Sequence, residues 1–141
     1  MASATASIEA SCTPAAFLAV VTDFERYPEF VEDLVDVRIR SHGENVWEVA
    51  FGLQIVRRLE YTLRLEQVSP TRVQWSLLEG VFRANRGSWT LEPLEDGGCK
   101  ATYEVEIQLG MYVPKSLMKT LVGRALPQML QRFRDRAEQV A

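Results

Sequence analysis

The amino-acid sequence predicts an α+β fold in which a curved antiparallel sheet of about seven strands wraps around a long C-terminal helix. Three stretches of apolar pattern support this prediction. Helical spacing runs through residues 13–34, strand-like alternation fills residues 35–109, and helical spacing returns from Pro114 onward. A sheet with one wet face and a helix with one apolar stripe can bury those surfaces against each other. The 141 residues suffice for a single domain spanning residues 1–141, with a flexible tail at residues 1–5.

The first predicted elements are a short strand at residues 7–11 and two short helices. Thr13 can accept a hydrogen bond from the free N–H groups that begin the first helix, and Pro14 suits its first turn. The apolar stripe of that helix has helical spacing and consists of Phe17, Val20, Val21 and Phe24. Pro28 disfavours helical geometry at the residue before it, so we expect the second helical turn at residues 30–34.

Six further strands are predicted from apolar residues that alternate with polar ones. Turn sequences such as SHGEN, SPT and EDGG separate several of them. The predicted strands cover residues 35–40, 47–55, 59–66, 71–82, 84–94 and 99–109. Alternation of this kind is typical of an antiparallel sheet that has one face in water.

The last segment, from Pro114 onward, predicts one long helix. Its apolar stripe consists of Met118, Val122, Leu126, Met129, Phe133, Ala137 and Val140. Pro127 lies inside this stripe and lacks the N–H that would bond to the carbonyl of Gly123. We therefore expect a kink there rather than two separate helices.

The charge distribution is uneven along the chain. The net charge is −3, which gives no reason to expect DNA binding. From Pro114 onward, however, the chain contains six cationic and two acidic residues, so this segment has a net charge of +4. The cations are Lys115, Lys119, Arg124, Arg132, Arg134 and Arg136. They form either the solvated face of the helix or a contact surface for an anionic partner.

The sequence lacks the residues that several kinds of metal, catalytic and phosphate-binding site require. Cys12 and Cys99 have neither C-x-x-C spacing nor a nearby histidine, so no metal site is expected. His42, the single histidine, falls in a predicted turn and is a poor candidate for a catalytic base. Phosphate-binding glycine loops are missing from the sequence, and no cofactor is expected. Neither a signal peptide nor an apolar run long enough to cross a membrane is found, which predicts a cytoplasmic protein.

Two motifs and the closing helix resemble a known family. VVTDFERYPEFVEDLVDVRI near the start and the later LLEGVFRANRGSWTLEPL are similar to segments of the START-like helix-grip proteins. The chain resembles in particular their polyketide cyclase/dehydrase and coenzyme-Q-binding branch. The resemblance implies an apolar pocket between the sheet and the long helix. Members bind quinones, lipids or polyketide intermediates, some are aromatase/cyclases, and one branch is a ribosome-association inhibitor toxin. No catalytic set is common to them.

The resemblance and the strand alternation together define candidate ligand-binding residues. Tyr27 and Phe30 are expected to cap one end of the pocket, with Pro28 fixing their angle. The other apolar candidates are Trp47, Phe51, Tyr61, Trp75, Trp89, Met118, Val122 and Met129, with Met111 as a further adaptable wall residue. The polar candidates, which share the alternation of apolar neighbours, are Arg57, Glu79, Arg83 and Asn85.

Glu79 is the one candidate for acid–base catalysis. If its strand is regular, the carboxylate faces the pocket, where burial would raise its pKa unless Arg57 or Arg83 pairs with it. Gly80 also favours a β-bulge, which would turn Glu79 toward solvent or into a salt bridge. The alternation alone leaves both arrangements open.

Three functions follow, in order of preference. The first is binding or transport of a hydrophobic small molecule such as a lipid, quinone or polyketide, without chemistry. The second is a polyketide aromatase/cyclase or dehydratase, whose basic helix would contact an acyl carrier protein. The third is a ribosome-interacting module of the toxin type. An anionic membrane surface is a further possible partner, through the apolar and cationic stretch GLQIVRR.

Overall fold

The computed structural model describes residues 2–55, 57–110 and 114–140. Seven antiparallel strands form one sheet in the order β1-β7-β6-β5-β4-β3-β2. The strands are β1 (Ala2–Ala10), β2 (Leu34–Gly43), β3 (Val46–Gln54), β4 (Arg58–Ser69), β5 (Arg72–Gly80), β6 (Phe82–Pro93) and β7 (Cys99–Leu109). Helix α1 (Pro14–Val21) and a 3₁₀ helix (Phe24–Glu29) follow β1. The predicted α+β architecture is confirmed, and the chain has the helix-grip arrangement.

The first strand is longer than predicted. It begins at Ala2, which lies opposite Ile107, and it stays paired with β7 as far as Ala10. Residues 2–5 therefore belong to the sheet, and the expectation of a flexible tail is wrong for them. Ala4 faces the core and contributes only a methyl group, so the apolar alternation of this strand is too weak to stand out in the sequence.

The connection after β1 contains the predicted helix cap. The Thr13 Oγ1 atom accepts a hydrogen bond from the backbone N–H of Ala16 at 3.2 Å. The second short helix lies at Phe24–Glu29, earlier than the predicted residues 30–34, and Pro28 falls inside it. The chain then turns into β2.

The C-terminal helix (residues 115–140) contains an irregular turn. It consists of α2 (Lys115–Thr120), a π turn (Leu121–Ala125) and α3 (Leu126–Val140). The π turn lies immediately before the helical turn that contains Pro127, near the predicted kink. Because a π turn inserts one extra residue, Leu121 and Leu117 take the buried positions that an unbroken helix would give to Val122 and Met118. Those two predicted stripe residues are only half-buried.

Phe133 joins the three parts of the molecule. Its ring is 1% exposed and lies 5.0 Å from the Tyr27 ring, 5.1 Å from the Phe30 ring and 5.1 Å from the Trp89 ring, measured between centroids. One side chain of α3 thus contacts the segment after α1 and the concave face of the sheet. The packing against Tyr27 and Phe30 is edge-to-face, an arrangement that adds to the free energy gained from burial.

Replacement of Phe133 with alanine should destabilise the protein severely. Removing a fully buried phenylalanine costs about 3–5 kcal/mol, because it loses both apolar burial and the packing of the surrounding rings. Urea unfolding of Phe133→Ala measures this loss. Val140→Ala is the control on the same helix: Val140 is 59% exposed, so its loss should stay within about 0.5 kcal/mol. Comparable losses for the two variants would contradict the assigned role of Phe133.

Candidate functional site

Two adjoining chambers lie between the concave face of the sheet and the C-terminal helix, each with a volume of about 80 Å³. Five residues line both of them: Leu34, Tyr61, Asn85, Tyr103 and Met129. Aromatic rings dominate the rest of the first chamber, through Tyr27, Phe51, Trp75, Trp89 and Phe133. The second chamber is mainly aliphatic, with Leu53, Val105, Ile107, Leu121 and Leu126 among its lining residues. Such apolar interiors with few polar atoms are typical of sites for small hydrophobic ligands.

Strands β5 and β6 separate beside the first chamber. Their pairing extends only from Arg72 opposite Thr90 to Trp75 opposite Gly87. The Trp75 indole packs over Gly87, where a Cβ atom would lie 2.6 Å from Trp75 Cζ2. Glycine is therefore required for this close approach.

Asn85 is the buried amide of the site. It is 7% exposed, and its Oδ1 atom accepts a hydrogen bond from Trp75 Nε1 at 3.1 Å. The bond links the two strands beyond the last pair of their ladder. It fixes the orientation of Asn85 and holds the indole against the first chamber.

Three tyrosines contribute phenol groups, which serve two different purposes. The hydroxyl group of Tyr27 donates a hydrogen bond to the backbone carbonyl of Val21, at the end of α1. Tyr61 and Tyr103 line both chambers, and no described residue forms a hydrogen bond with either hydroxyl. Burial raises the pKa of Tyr61, and burial together with the nearby Tyr61 raises the pKa of Tyr103. Both phenols therefore stay protonated near neutral pH.

Half of the predicted site residues line the chambers. Those that do are Tyr27, Phe51, Tyr61, Trp75, Asn85, Trp89 and Met129. Trp47, Phe30, Met118 and Val122 pack elsewhere and line neither chamber. Trp47 packs against Phe24 and His42, and Phe30 lies beside a surface groove. Met111 and Val56 lie outside the described residues.

The charged candidates Glu79, Arg83 and Arg57 do not face the chambers. A β-bulge in β5 places Leu63 opposite Leu77 but Thr62 opposite Glu79, which reverses the alternation. The Glu79 side chain is 71% exposed, and its Oε1 atom lies 3.7 Å from Arg40 Nη1. The expectation that Glu79 binds ligand in the pocket is wrong, and of the two arrangements that the alternation left open, the bulge with a salt bridge is the one observed.

The two predicted internal arginines are exposed for similar reasons. The register of β6 against β7 shifts between Phe82 and Ala84, so Arg83 turns outward while Asn85 stays inside. Arg57 lies at a bend between β3 and β4 and is also exposed. As a result, no described lysine or arginine lines either chamber.

Tyr103 is a lining residue that was not among the predicted site residues. It shares the inward alternation of Ala101 and Val105 on β7, and that signal was present in the sequence. Among the described lining residues, Asp33 beside the second chamber is the one carboxylate. Over residues 2–55, 57–110 and 114–140, no group of three His, Cys, Asp or Glu residues could hold a metal ion.

Two arginines of the C-terminal helix form ion pairs with acidic residues elsewhere in the molecule. Arg136 Nη2 donates to Glu29 Oε1 at 2.6 Å, and Arg132 Nη2 lies 3.3 Å from Glu32 Oε1. The hydrogen bond from Arg136 lowers the pKa of Glu29. These contacts connect the acidic segment around Tyr27 to the C-terminal helix. None of the described helices is both long and apolar enough to cross a membrane.

Comparisons with known proteins agree on the fold. A family model described as "Polyketide cyclase / dehydrase and lipid transport" matches residues 11–134. A START superfamily protein from Mycobacterium smegmatis has a similar structure (TM-score 0.86, 16% identity, 99% of each chain covered). So does the Zhui aromatase/cyclase from Streptomyces sp. R1128 (TM-score 0.86, 13% identity, 98% of this chain and 94% of that chain). The ribosome association toxin RatA from Vibrio cholerae is 23% identical over 122 residues, covering 86% of this chain and 85% of the toxin.

Stability should decline in alkaline solution because of the buried thiols and phenols. Burial, together with the neighbouring Cys12, raises the pKa of Cys99 from 9.0 to about 11, and the pKa of the three tyrosines is raised as well. Above the pKa of each group in the unfolded chain, and below its pKa in the folded chain, the unfolded chain loses a proton that the folded chain keeps. The free energy of unfolding therefore falls as the pH rises. Urea unfolding from about pH 8 to about pH 11 measures the decline.

Cys99→Ala is the matched variant for the early part of this decline. The tyrosines have a reference pKa of 10.0, so the thiols contribute first. The variant should show a shallower fall than the wild type between about pH 9 and pH 10, whatever its starting stability. Stability that stays constant over the whole range in the wild type would contradict the effect of burial.

Proposed function

Because the chain belongs to the polyketide cyclase/dehydrase and lipid transport family, we propose that it binds an uncharged hydrophobic small molecule in the two interior chambers and performs no chemistry on it. The composition of the lining is the observation that supports this proposal. Apolar walls surround a few polar atoms, which come mainly from neutral phenols and an amide. An apolar ligand would be stabilised there by removal from water.

Uptake requires the chambers to enlarge. Each volume of about 80 Å³ is well below the roughly 300–1,000 Å³ of typical ligand pockets. Met129 lines both chambers, and its unbranched thioether can adopt several rotamers with little strain. A ligand that displaces this side chain would join the two chambers. The π turn beside the second chamber is a second point at which the wall can adjust.

An aromatase/cyclase or dehydratase is the second candidate. The hydroxyl groups of Tyr61 and Tyr103 favour it, because they could polarise a carbonyl group of a polyketide chain. With raised pKa values, however, these phenols are poor proton donors and acceptors near neutral pH. Glu79 faces solvent, so it supplies no acid or base to the chambers, and Asp33 lines only the second chamber. Binding without proton transfer fits this lining better.

A ribosome-directed role receives support from the likeness to the RatA toxin, and none from the interior of the molecule. Arg132 and Arg136 are engaged with Glu32 and Glu29, which reduces the free positive charge of the helix. Lys115, Lys119 and Arg124 are exposed and could contact an anionic partner such as an acyl carrier protein or a membrane surface. We rank these interactions below ligand binding.

Replacement of Met129 with tryptophan should block ligand binding by filling the junction between the chambers. Met118→Trp is the matched control, because Met118 is also half-buried on the C-terminal helix but lines neither chamber. Protein isolated from its host is studied by native mass spectrometry and organic extraction. Binding of the neutral probe N-phenylnaphthylamine is then measured by fluorescence titration.

We expect the wild type and Met118→Trp to carry an apolar compound and to bind the probe. Met129→Trp should lose affinity for the probe by about tenfold or more, which corresponds to about 1.4 kcal/mol. If Met129→Trp binds the probe as well as Met118→Trp does, the ligand does not enter the chambers and the proposal is wrong.

A further inference from the structure

We propose that Asn85, Tyr61 and Tyr103 form a hydrogen-bond donor site for a carbonyl oxygen of the ligand, so that the ligand is an uncharged hydrophobic ketone, quinone or ester. This inference rests on the proposed function and specifies its substrate class. It depends on three properties of the interior: the orientation of one amide, two hydroxyl groups without partners, and the lack of a cation among the described lining residues.

The orientation of the Asn85 amide follows from its partner. An indole N–H can only donate a hydrogen bond, so the atom of Asn85 that faces Trp75 Nε1 must be the oxygen. The Nδ2 amino group of Asn85 therefore points away from Trp75. Its two hydrogens are available to another acceptor.

No described residue accepts a hydrogen bond from Asn85 Nδ2. Among the described residues there is also no side-chain nitrogen or oxygen that is both sealed from solvent and without a partner. The amino group must therefore reach the surface of a chamber, although the residue as a whole is only 7% exposed. A buried amide with free donors on an apolar wall is an unsatisfied site for an acceptor.

The same reasoning applies to Tyr61 and Tyr103. Their hydroxyl groups have no hydrogen-bond partner among the described residues, and both side chains line the two chambers alongside Asn85. Their raised pKa values keep the phenols protonated, so each can donate. The three side chains that carry these donor groups thus line the same two chambers.

The lack of a nearby cation excludes an anionic ligand group. Arg57 and Arg83 are exposed, and a buried carboxylate on the ligand would have no positive partner among the described lining residues. Asp33 beside the second chamber would repel it. A hydrocarbon would leave all three donor groups without an acceptor. A neutral carbonyl oxygen has two lone pairs, so it can accept hydrogen bonds from two of these donor groups without bringing in charge.

Three probes of nearly equal shape test the inference: indane, indanone and indane carboxylate. Isothermal titration calorimetry measures the affinity of the wild-type protein for each. We expect indanone to bind about tenfold more tightly than indane, because each net hydrogen bond is worth about 0.5–1.5 kcal/mol. The carboxylate should bind more weakly than either. The carbonyl stretching band of bound indanone should shift to lower frequency than in hexane.

Variants assign the effect to the three residues. Asn85→Leu and the double variant Tyr61→Phe, Tyr103→Phe should each reduce the preference for indanone over indane to about twofold, while affinity for indane is retained. The tyrosine variant keeps the shape of the chambers and the bond between Trp75 and Asn85. If Asn85→Leu does not fold, the tyrosine variant serves as the test. The carbonyl stretching band of indanone bound to the wild type is a second test in that case.

The outcomes separate this inference from the proposed function. If indane and indanone bind equally well, or the carboxylate binds most tightly, the donor site is wrong and ligand binding in the chambers stands. An undiminished preference for indanone in the folded variants would also overturn the donor site. If none of the probes binds to the wild type, both proposals fail together.

Discussion

The contact of the Phe133 ring with Tyr27, Phe30 and Trp89 is the interaction on which the rest of the structure depends. An amphipathic helix and a one-sided sheet each need a partner to bury their apolar surface. Phe133 provides that partner for the concave face of the sheet and for the segment after α1 at the same point. The bond from Arg136 to Glu29, one turn away, aligns the two segments; Arg136 is half-buried and Glu29 is exposed.

The C-terminal helix also determines where the core contains the two chambers. Phe133 and Met129 are four residues apart, so they lie on the same face of α3. Phe133 fills its space, whereas Met129 lines both chambers and is only half-buried. Beyond Met129 the π turn shifts the apolar face from Val122 to Leu121. The helix therefore changes from a tightly packed segment to a less buried one within about two turns, and the second chamber lies against the less buried part.

Much of this organisation could be predicted from the sequence, because apolar periodicity reports directly on which face of an element is buried. The order of the elements and the inward orientation of Phe51, Trp75 and Trp89 followed from it. The prediction failed where the backbone departs from a regular repeat. A bulge in β5 turned Glu79 outward, and a register shift in β6 did the same for Arg83. Such irregularities depend on how neighbouring strands fit together, which one-dimensional spacing does not contain.

These irregularities also account for the chemical character of the interior. A regular β5 and β6 would direct Glu79 and Arg83 into the protein, where each charge would have to be separated from water and paired. The observed backbone leaves both charged side chains in solvent and keeps the neutral amide of Asn85 inside, fixed by Trp75. The departure from alternation falls between Leu77 and Glu79, next to Gly80, which has a φ of 131°. It keeps the charges of Glu79 and Arg83 out of the chambers, whose walls can still donate hydrogen bonds through Asn85. An interior of that kind can recognise an oxygen atom and remain apolar enough to hold a hydrophobic molecule.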